Sequence, residues 1–456
     1  MRRGDVIRDA AGHDRSELGV RRLSKWLGKG AGETLDCPAR LGVASAVAVL
    51  LLLLTALGAY GYVGLVGKPS DLDFFIRESF RGDEIDDRNF KYTNEYFLNV
   101  FSFRHLTSSD DIWTAHTKGY RLAMGSTTSD EFFLDHEAKV DAELGARTTL
   151  HYRFVQAEDY DSRFVRNLVG LSHSFSRVIG AYGYTQLNGF KADIDAGGGL
   201  LITTAPVKLN LGFAFPQALL NTKSETGERF ERQAFGLGLA ATVPVTDRWT
   251  VSVRLFENFP LVLERPQEAL TFRFRRFVYG LGIEGRLDAT SRIRWAVYGE
   301  NTAKEREFSA PRSGDNTRVS RFALRSSLVY SRAWQGGTLL DAGVLFQRFY
   351  EPTRFPLAPG RTVIRERTEA FLFAQLAWHV WKGLFLVPGL FSGPVEAIDR
   401  RPNAVAPETG GRSLQAKASV GIAYRFSDQA YLQLQPTFDL DQRRFGGAGP
   451  NFVAAF

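Results

Sequence analysis

The chain has 456 residues and is 44% hydrophobic, an ordinary content that excludes a multi-span helical membrane protein but leaves room for a transmembrane sheet in which only every second residue is apolar. Its 57 Lys and Arg against 50 Asp and Glu give +7 without a concentrated basic stripe, which argues against nucleic acid as a partner. The single cysteine, Cys37, excludes an internal disulfide and a cysteine cluster for zinc, and 36 Phe and 44 Gly beside 2 Met favour sheet and turns over helices.

Residues 41–66 carry no charge and follow Arg21, Arg22, Lys25, Lys29 and Arg40. A basic stretch before an apolar one, with small residues at Ala56, Gly58, Ala59 and Gly61, reads as a secretory signal cut near Gly58–Gly61. The run is also long enough for a retained membrane helix. Cleavage is favoured, because an inner-membrane helix conflicts with the barrel read from the rest of the chain. The basic stretch is unusually long, and a translation start near Val20 would shorten it. We therefore assign residues 1–60 to the signal, 61–112 to a periplasmic or lumenal extension and 113–456 to the main domain. Within the extension, residues 71–81 suggest a short amphipathic helix and 91–105 a strand.

The main domain repeats one unit. Phe235, Leu237, Leu239, Ala241 and Val243 alternate with small residues up to a turn at 244–248, and Trp249, Val251, Val253 and Leu255 alternate on the return. Period-two alternation on both sides of a short turn predicts a β-hairpin, and each arm is near the length a tilted strand needs to cross a bilayer. The same pattern predicts seven more hairpins, turning at 145–146, near 177, at 205–206, 288–291, 336–337, 382–383 and 427–429. The connections between hairpins (216–230, 258–269, 301–318, 351–367 and 392–412) are longer and more polar, and are expected to be loops. Trp249, Trp295, Trp334, Trp378 and Trp381 lie at or near the short turns, as one aromatic girdle would. A first strand within 116–126 and a short last strand at 450–456, short because of Pro450, would complete about 16–18 strands. The expected fold is all-β: a transmembrane antiparallel up-and-down barrel with short periplasmic turns and long external loops. Closure is required because a free sheet edge in hydrocarbon leaves backbone groups unsatisfied. A soluble sandwich or propeller is disfavoured; no blade-length motif is present.

On this pattern, and on the terminal NFVAAF with Phe452, Ala454 and Phe456 on one face, residues 113–456 resemble the bacterial outer-membrane β-barrel proteins. The resemblance rests on architecture and selects no family among porins, polysaccharide-export barrels and fatty-acid channels. It implies the outer membrane of a Gram-negative bacterium, outer-membrane lipid as surroundings, and an assembly machinery that reads the strand ending at Phe456. A homo-oligomer is compatible with it.

If the apolar parity faces lipid, the other faces a wet lumen, because Arg or Lys on the lipid face costs about 2–4 kcal/mol at the midplane. That inward set includes Glu137, Lys139, Asp141, Glu143, His151, Arg153, Lys208, Glu369 and His379. The residues expected to line the lumen and contact solute are Arg254, Arg276, Glu284, Arg286, Arg292, Arg294, Glu300, Arg321, Arg325 and Asp341. Six of these arginines (276, 286, 292, 294, 321 and 325), on three consecutive strands, would form an electropositive wall favouring anions. The plainer reading, which we prefer, is that Arg and Glu alternate to solvate and brace the lumen. The loops holding Asp315 and Asp399–Arg401 are expected at the surface rather than folded inward as a constriction.

No phosphate loop, no H-E-x-x-H and no Cys/His metal spacing is present, so no cofactor and no metal are expected, and no enzymatic activity. Gly236 and Gly238 lie within a strand and do not form a nucleotide site. His173-Ser174-Phe175-Ser176 is the one stretch resembling a His/Ser pair, and the Ser-rich end of a hairpin explains it as well. The expected function is a channel passing small hydrophilic, in one version anionic, solutes. The alternatives are a polymer-export barrel, a lipid-modifying enzyme, and a structural or adhesive barrel.

Overall fold

The computed structural model describes residues 117–127, 132–159, 163–186, 196–204, 206–215, 222–223, 228–232, 235–401, 408–427 and 429–456. The expected signal, the extension and their suggested helix and strand lie outside the described residues.

The first strands are short: β1 (Lys118–Thr127), β2 (Phe132–Gly145), β3 (Thr148–Asp159), β4 (Arg163–Ser174), β5 (Ile179–Gln186), β6 (Ala196–Thr204) and β7 (Val207–Phe215). A small hairpin, β8 (Thr222–Lys223) with β9 (Glu228–Arg232), precedes β10 (Phe235–Pro244). Long strands follow: β11 (Trp249–Arg265), β12 (Leu270–Arg286), β13 (Ser291–Phe308), β14 (Thr317–Ala333), β15 (Leu339–Arg354), β16 (Val363–Trp381), β17 (Leu384–Arg400) and β18 (Glu408–Ser427). The last two are β19 (Ala430–Asp439) and β20 (Arg444–Ala455).

Every neighbour pairs antiparallel in chain order, except that β7 pairs β10 across the β8–β9 hairpin, whose β9 pairs the far part of β11. β1 pairs both β2 and β20, with Tyr120 opposite Ala454, so the sheet closes on itself as an up-and-down barrel of 18 strands. All eight hairpins read from the sequence are present. The last strand is longer than expected, because β20 begins at Arg444 and passes through Pro450 rather than starting there.

The pleat sorts the side chains. Leu328, Val344, Leu372, Leu390, Leu414, Val420 and Ile422 share one face and are exposed. Lys139, His151, Arg276, Glu369, Gln375, Ser419 and Gln433 share the other and are buried. The exposed apolar face is the outside of the ring; Trp249, Trp334, Trp378 and Trp381 are exposed at its turn end. Trp295 is half-buried there and donates from Nε1 to Ser326 Oγ at 3.1 Å.

The short turns are shaped by side-chain oxygens. Ser176 Oγ accepts from the backbone N–H of Val178 and Ile179, and Thr246 Oγ1 from those of Arg248 and Trp249. Asp288 Oδ1 accepts from Thr290 N and Oγ1 at 2.7 and 2.8 Å. These bonds hold the Asp288 carboxyl down at about 2, and the turn lies outside the membrane belt.

Four of the expected long loops are largely strand. β11 runs to Arg265, β13 to Phe308, β15 to Arg354 and β17 to Arg400, so Asp399 and Arg400 lie in a ladder. The connections that remain are 3₁₀ turns such as Arg312–Asp315, where Asp315 is exposed and 3.7 Å from Arg361. β11 carries a bulge between Asn258 and Leu261, beside Pro260, which has no N–H for the ladder.

Candidate functional site: the inner wall

Register places all ten predicted residues on the inner face, and it also shows which of them meet. Arg276, buried on β12, donates from Nη2 to Glu300 Oε2 at 2.9 Å, and Thr302 Oγ1 donates to Glu300 Oε1 at 3.0 Å. Arg321 reaches Glu351 Oε2 with Nε at 2.7 Å and Nη2 at 2.6 Å, both side chains buried. Arg292 lies 4.0 Å from Glu284, while Arg286 stands directly opposite Arg292 and Glu284 opposite Arg294. Arg325 lies between Tyr298 and Gln347 in register. Asp341 accepts from Ser331 Oγ at 2.5 Å. Arg254 is exposed between Ala240 and Gly280.

The arginines are therefore interleaved with carboxylates. Elsewhere on this face Arg121 pairs with Glu137 at 2.5 Å, Lys417 with Asp439 at 3.2 Å, and Arg367 with Glu369. Glu351 and Arg367 fell within a segment expected to be loop; a polar stretch whose faces are both wet carries no apolar alternation to mark it as strand.

The wall also carries apolar groups. Leu168, Tyr182 and Tyr184 pack together, the two rings stacked with centroids 6.0 Å apart. Tyr184 lies over Gly197, where a Cβ would meet its ring at 2.5 Å, so glycine is what admits the aromatic ring. Gly236 plays the same part beneath Phe256, where a Cβ would meet the ring at 2.5 Å. Tyr182 donates to Asn210 Oδ1 at 2.9 Å.

The His173–Ser176 stretch, which the Ser-rich end of a hairpin already explains, holds its side chains apart. His173 points outward, its Nδ1 2.9 Å from Thr148 Oγ1, and Ser176 is committed to its turn. A different trio meets on the inner face. His151 Nδ1 is 2.7 Å from Asp141 Oδ1, and His151 Nε2 is 2.7 Å from Ser172 Oγ. Arg153 also donates to Asp141, from Nη1 at 2.7 Å and from Nη2 at 3.2 Å. The sequence placed His151 and Asp141 inward; Ser172 joins them through the β3–β4 register, which sets Thr149 opposite Ser172. Among the described residues, no group of three or more His, Cys, Asp or Glu side chains is arranged to hold a metal ion.

No family model matches the chain, and no curated protein matches it. Solved structures that it resembles include Pseudomonas aeruginosa OccK10 (OpdN), at 13% identity and TM-score 0.39 over 75% of this chain and 98% of that one. Pseudomonas aeruginosa OprD is similar at 9% identity and TM-score 0.35, over 74% and 92%. A structure described as a bacterial polysaccharide outer membrane secretin is similar at 10% identity and TM-score 0.35, over 75% and 99%. The assignment rests on this chain's own ladders: a ring without a free edge, apolar outside, with tryptophans at its turn end. The chain folds as a closed antiparallel up-and-down β-barrel of 18 strands with the outer face of a transmembrane barrel.

Proposed function

We propose that the barrel is a passive, weakly selective channel for small hydrophilic solutes. One observation carries this reading: the closed ring turns most of its buried charged and polar side chains inward, among apolar groups such as Leu168 and Phe256, as a wall facing an aqueous path does. Rings of this strand number leave a lumen too wide for wall side chains alone to fill. Because the wall's arginines stand among carboxylates, Arg276 with Glu300, Arg321 with Glu351 and Arg292 beside Glu284, we propose only a slight preference for anions rather than a continuous positive wall. We further propose that the assembly machinery reads the exposed Phe456 at the end of β20.

Conductance in planar bilayers tests the channel. Discrete openings, with a reversal potential near zero under a tenfold KCl gradient, support it. A fully folded protein without openings overturns it, and a strongly anion-selective reversal potential replaces weak selectivity with the arginine wall.

A further inference from the structure

We propose that Ser172, His151 and Asp141 form a nucleophilic site on the inner wall that cleaves small carboxylic esters. The three side chains come from adjacent antiparallel strands, β4, β3 and β2, and all face inward. His151 is buried and touches both partners: its Nε2 is 2.7 Å from Ser172 Oγ, its Nδ1 2.7 Å from Asp141 Oδ1. This is the order and reach by which a base activates a hydroxyl while a third group fixes the tautomer and orientation of the ring. Arg153 donates to the same Asp141 Oδ1 from Nη1 and to Oδ2 from Nη2, which holds the carboxylate beside His151.

Ser172 is half-buried, not sealed. Beside His151 lies a small cleft with room for about one water, lined by Arg153, Leu168, Gly170, Tyr182 and Tyr184. Gly170 lets β5 pack close to β4 there, because a Cβ would lie 2.9 Å from Gly183 O and 3.0 Å from Tyr184 Cβ. Leu168 and the two stacked rings, with Tyr182 directly opposite Ser172, form an apolar patch on the wall, and in the proposed reaction a short acyl chain lies against it. A bracing network does not require this linear order, because Arg153 alone already satisfies the Asp141 carboxylate.

In the proposed reaction, Ser172 Oγ attacks the ester carbonyl carbon as its proton passes to His151 Nε2. The tetrahedral adduct collapses, the C–O bond to the alcohol breaks, and the alcohol leaves with that proton. Water, deprotonated by His151, then attacks the acyl-serine, releasing the acid and restoring Ser172. Ser172 and His151 are the catalytic residues; Asp141 is a positioning residue.

The test uses the full barrel, folded in detergent, and a fluorophosphonate serine probe. Intact mass and peptide mapping follow the adduct, and the gel shift between unboiled and boiled samples confirms folding. The expected result is one adduct at Ser172, formed at least 1,000-fold faster than on N-acetylserinamide. It is absent in Ser172→Ala and slowed about 100-fold in His151→Gln, the lower end of what a general base supplies. Asp141→Asn is expected to slow labelling without changing the gel shift, and Asp141→Glu to restore part of the rate. Folded wild type that labels no faster than N-acetylserinamide overturns the proposal, and so does a His151→Gln protein that labels at the wild-type rate. If the variants fail to fold, the wild-type rate alone decides. Neither outcome bears on conductance, so the channel reading stands or falls separately.

Discussion

The strands from β4 to β10 and those from β11 to β18 contrast within one sheet. β5, β6 and β7 have 8 or 9 residues, close to what a tilted strand needs to span a bilayer, whereas β13, β16 and β18 have 18 to 20. What the extra length does shows in the outward parity of a single strand. On β13 the outward residues nearest the turn are Ile293, Trp295 and Val297, and those farthest from it are Glu305 and Glu307. Glu307 pairs with Arg273 at 2.6 Å and Glu305 with Arg318 at 3.3 Å, on the strands either side. Arg348 and Glu366, 3.3 Å apart, continue the pattern around the ring. An apolar belt thus gives way, along the same strands, to a lattice of exposed ion pairs. The ladder continues past the membrane because its backbone bonds need no lipid, while the outward side chains change to suit water.

The contrast between belt, rim and inner wall ranks the expected effects of substitution. Arg321→Ala leaves Glu351 buried without its main partner and is expected to cost about 3–5 kcal/mol, read as a lower urea midpoint for unfolding from lipid vesicles. A loss under 1 kcal/mol would mean that this pair is as wet as the rim. Leu372→Arg places a charge on the outward belt of β16 and is expected to cost about 2–4 kcal/mol in the same assay. A neutral result would move the belt off this residue. Arg273→Gln breaks a pair of the same chemistry at the rim and is expected to change stability by less than about 1 kcal/mol, an effect that shrinks further in 1 M salt.

The smallest effect belongs to the turn between β12 and β13. The carboxyl of Asp288 titrates at about 2 in the folded protein, below its ordinary 3.8. A depressed value means that the turn gains stability from the ionised form above pH 3.8 and loses it as pH falls through 2. NMR titration of the Asp288 carboxyl is expected to show that lowered midpoint, and Asp288→Ala should speed amide exchange at Thr290 alone. An ordinary midpoint would show that the turn is held by its backbone.

These differences also explain what was legible in the sequence. The belt announces itself, since an apolar residue at every second position is what one greasy and one wet face require, and the eight hairpins follow from it. The rim does not. In 301–318 both parities are polar, and alternation disappears although the ladder persists to Phe308. The inner face breaks the pattern as well. Leu168, Phe256, Val278, Val329 and Val453 are apolar yet point inward, where neighbouring side chains bury them. Glu351 as the partner of Arg321, and Ser172 as the partner of His151, depend on which residue of one strand stands beside which of the next. Register is set by the whole ring and by bulges such as that at 258–261, so spacing along one strand does not reveal it.

Closure of the ring is the claim that everything else requires, and its seam is the pairing of β1 with β20. Cysteines introduced as Tyr120→Cys and Ala454→Cys, with Cys37→Ser removing the native thiol, sit at directly opposed positions within disulfide reach. On mild oxidation the folded, heat-modifiable protein is expected to form this bond in nearly every molecule, with no second chain involved. Folded protein whose two thiols stay free, or link only between molecules, would contradict a closed barrel.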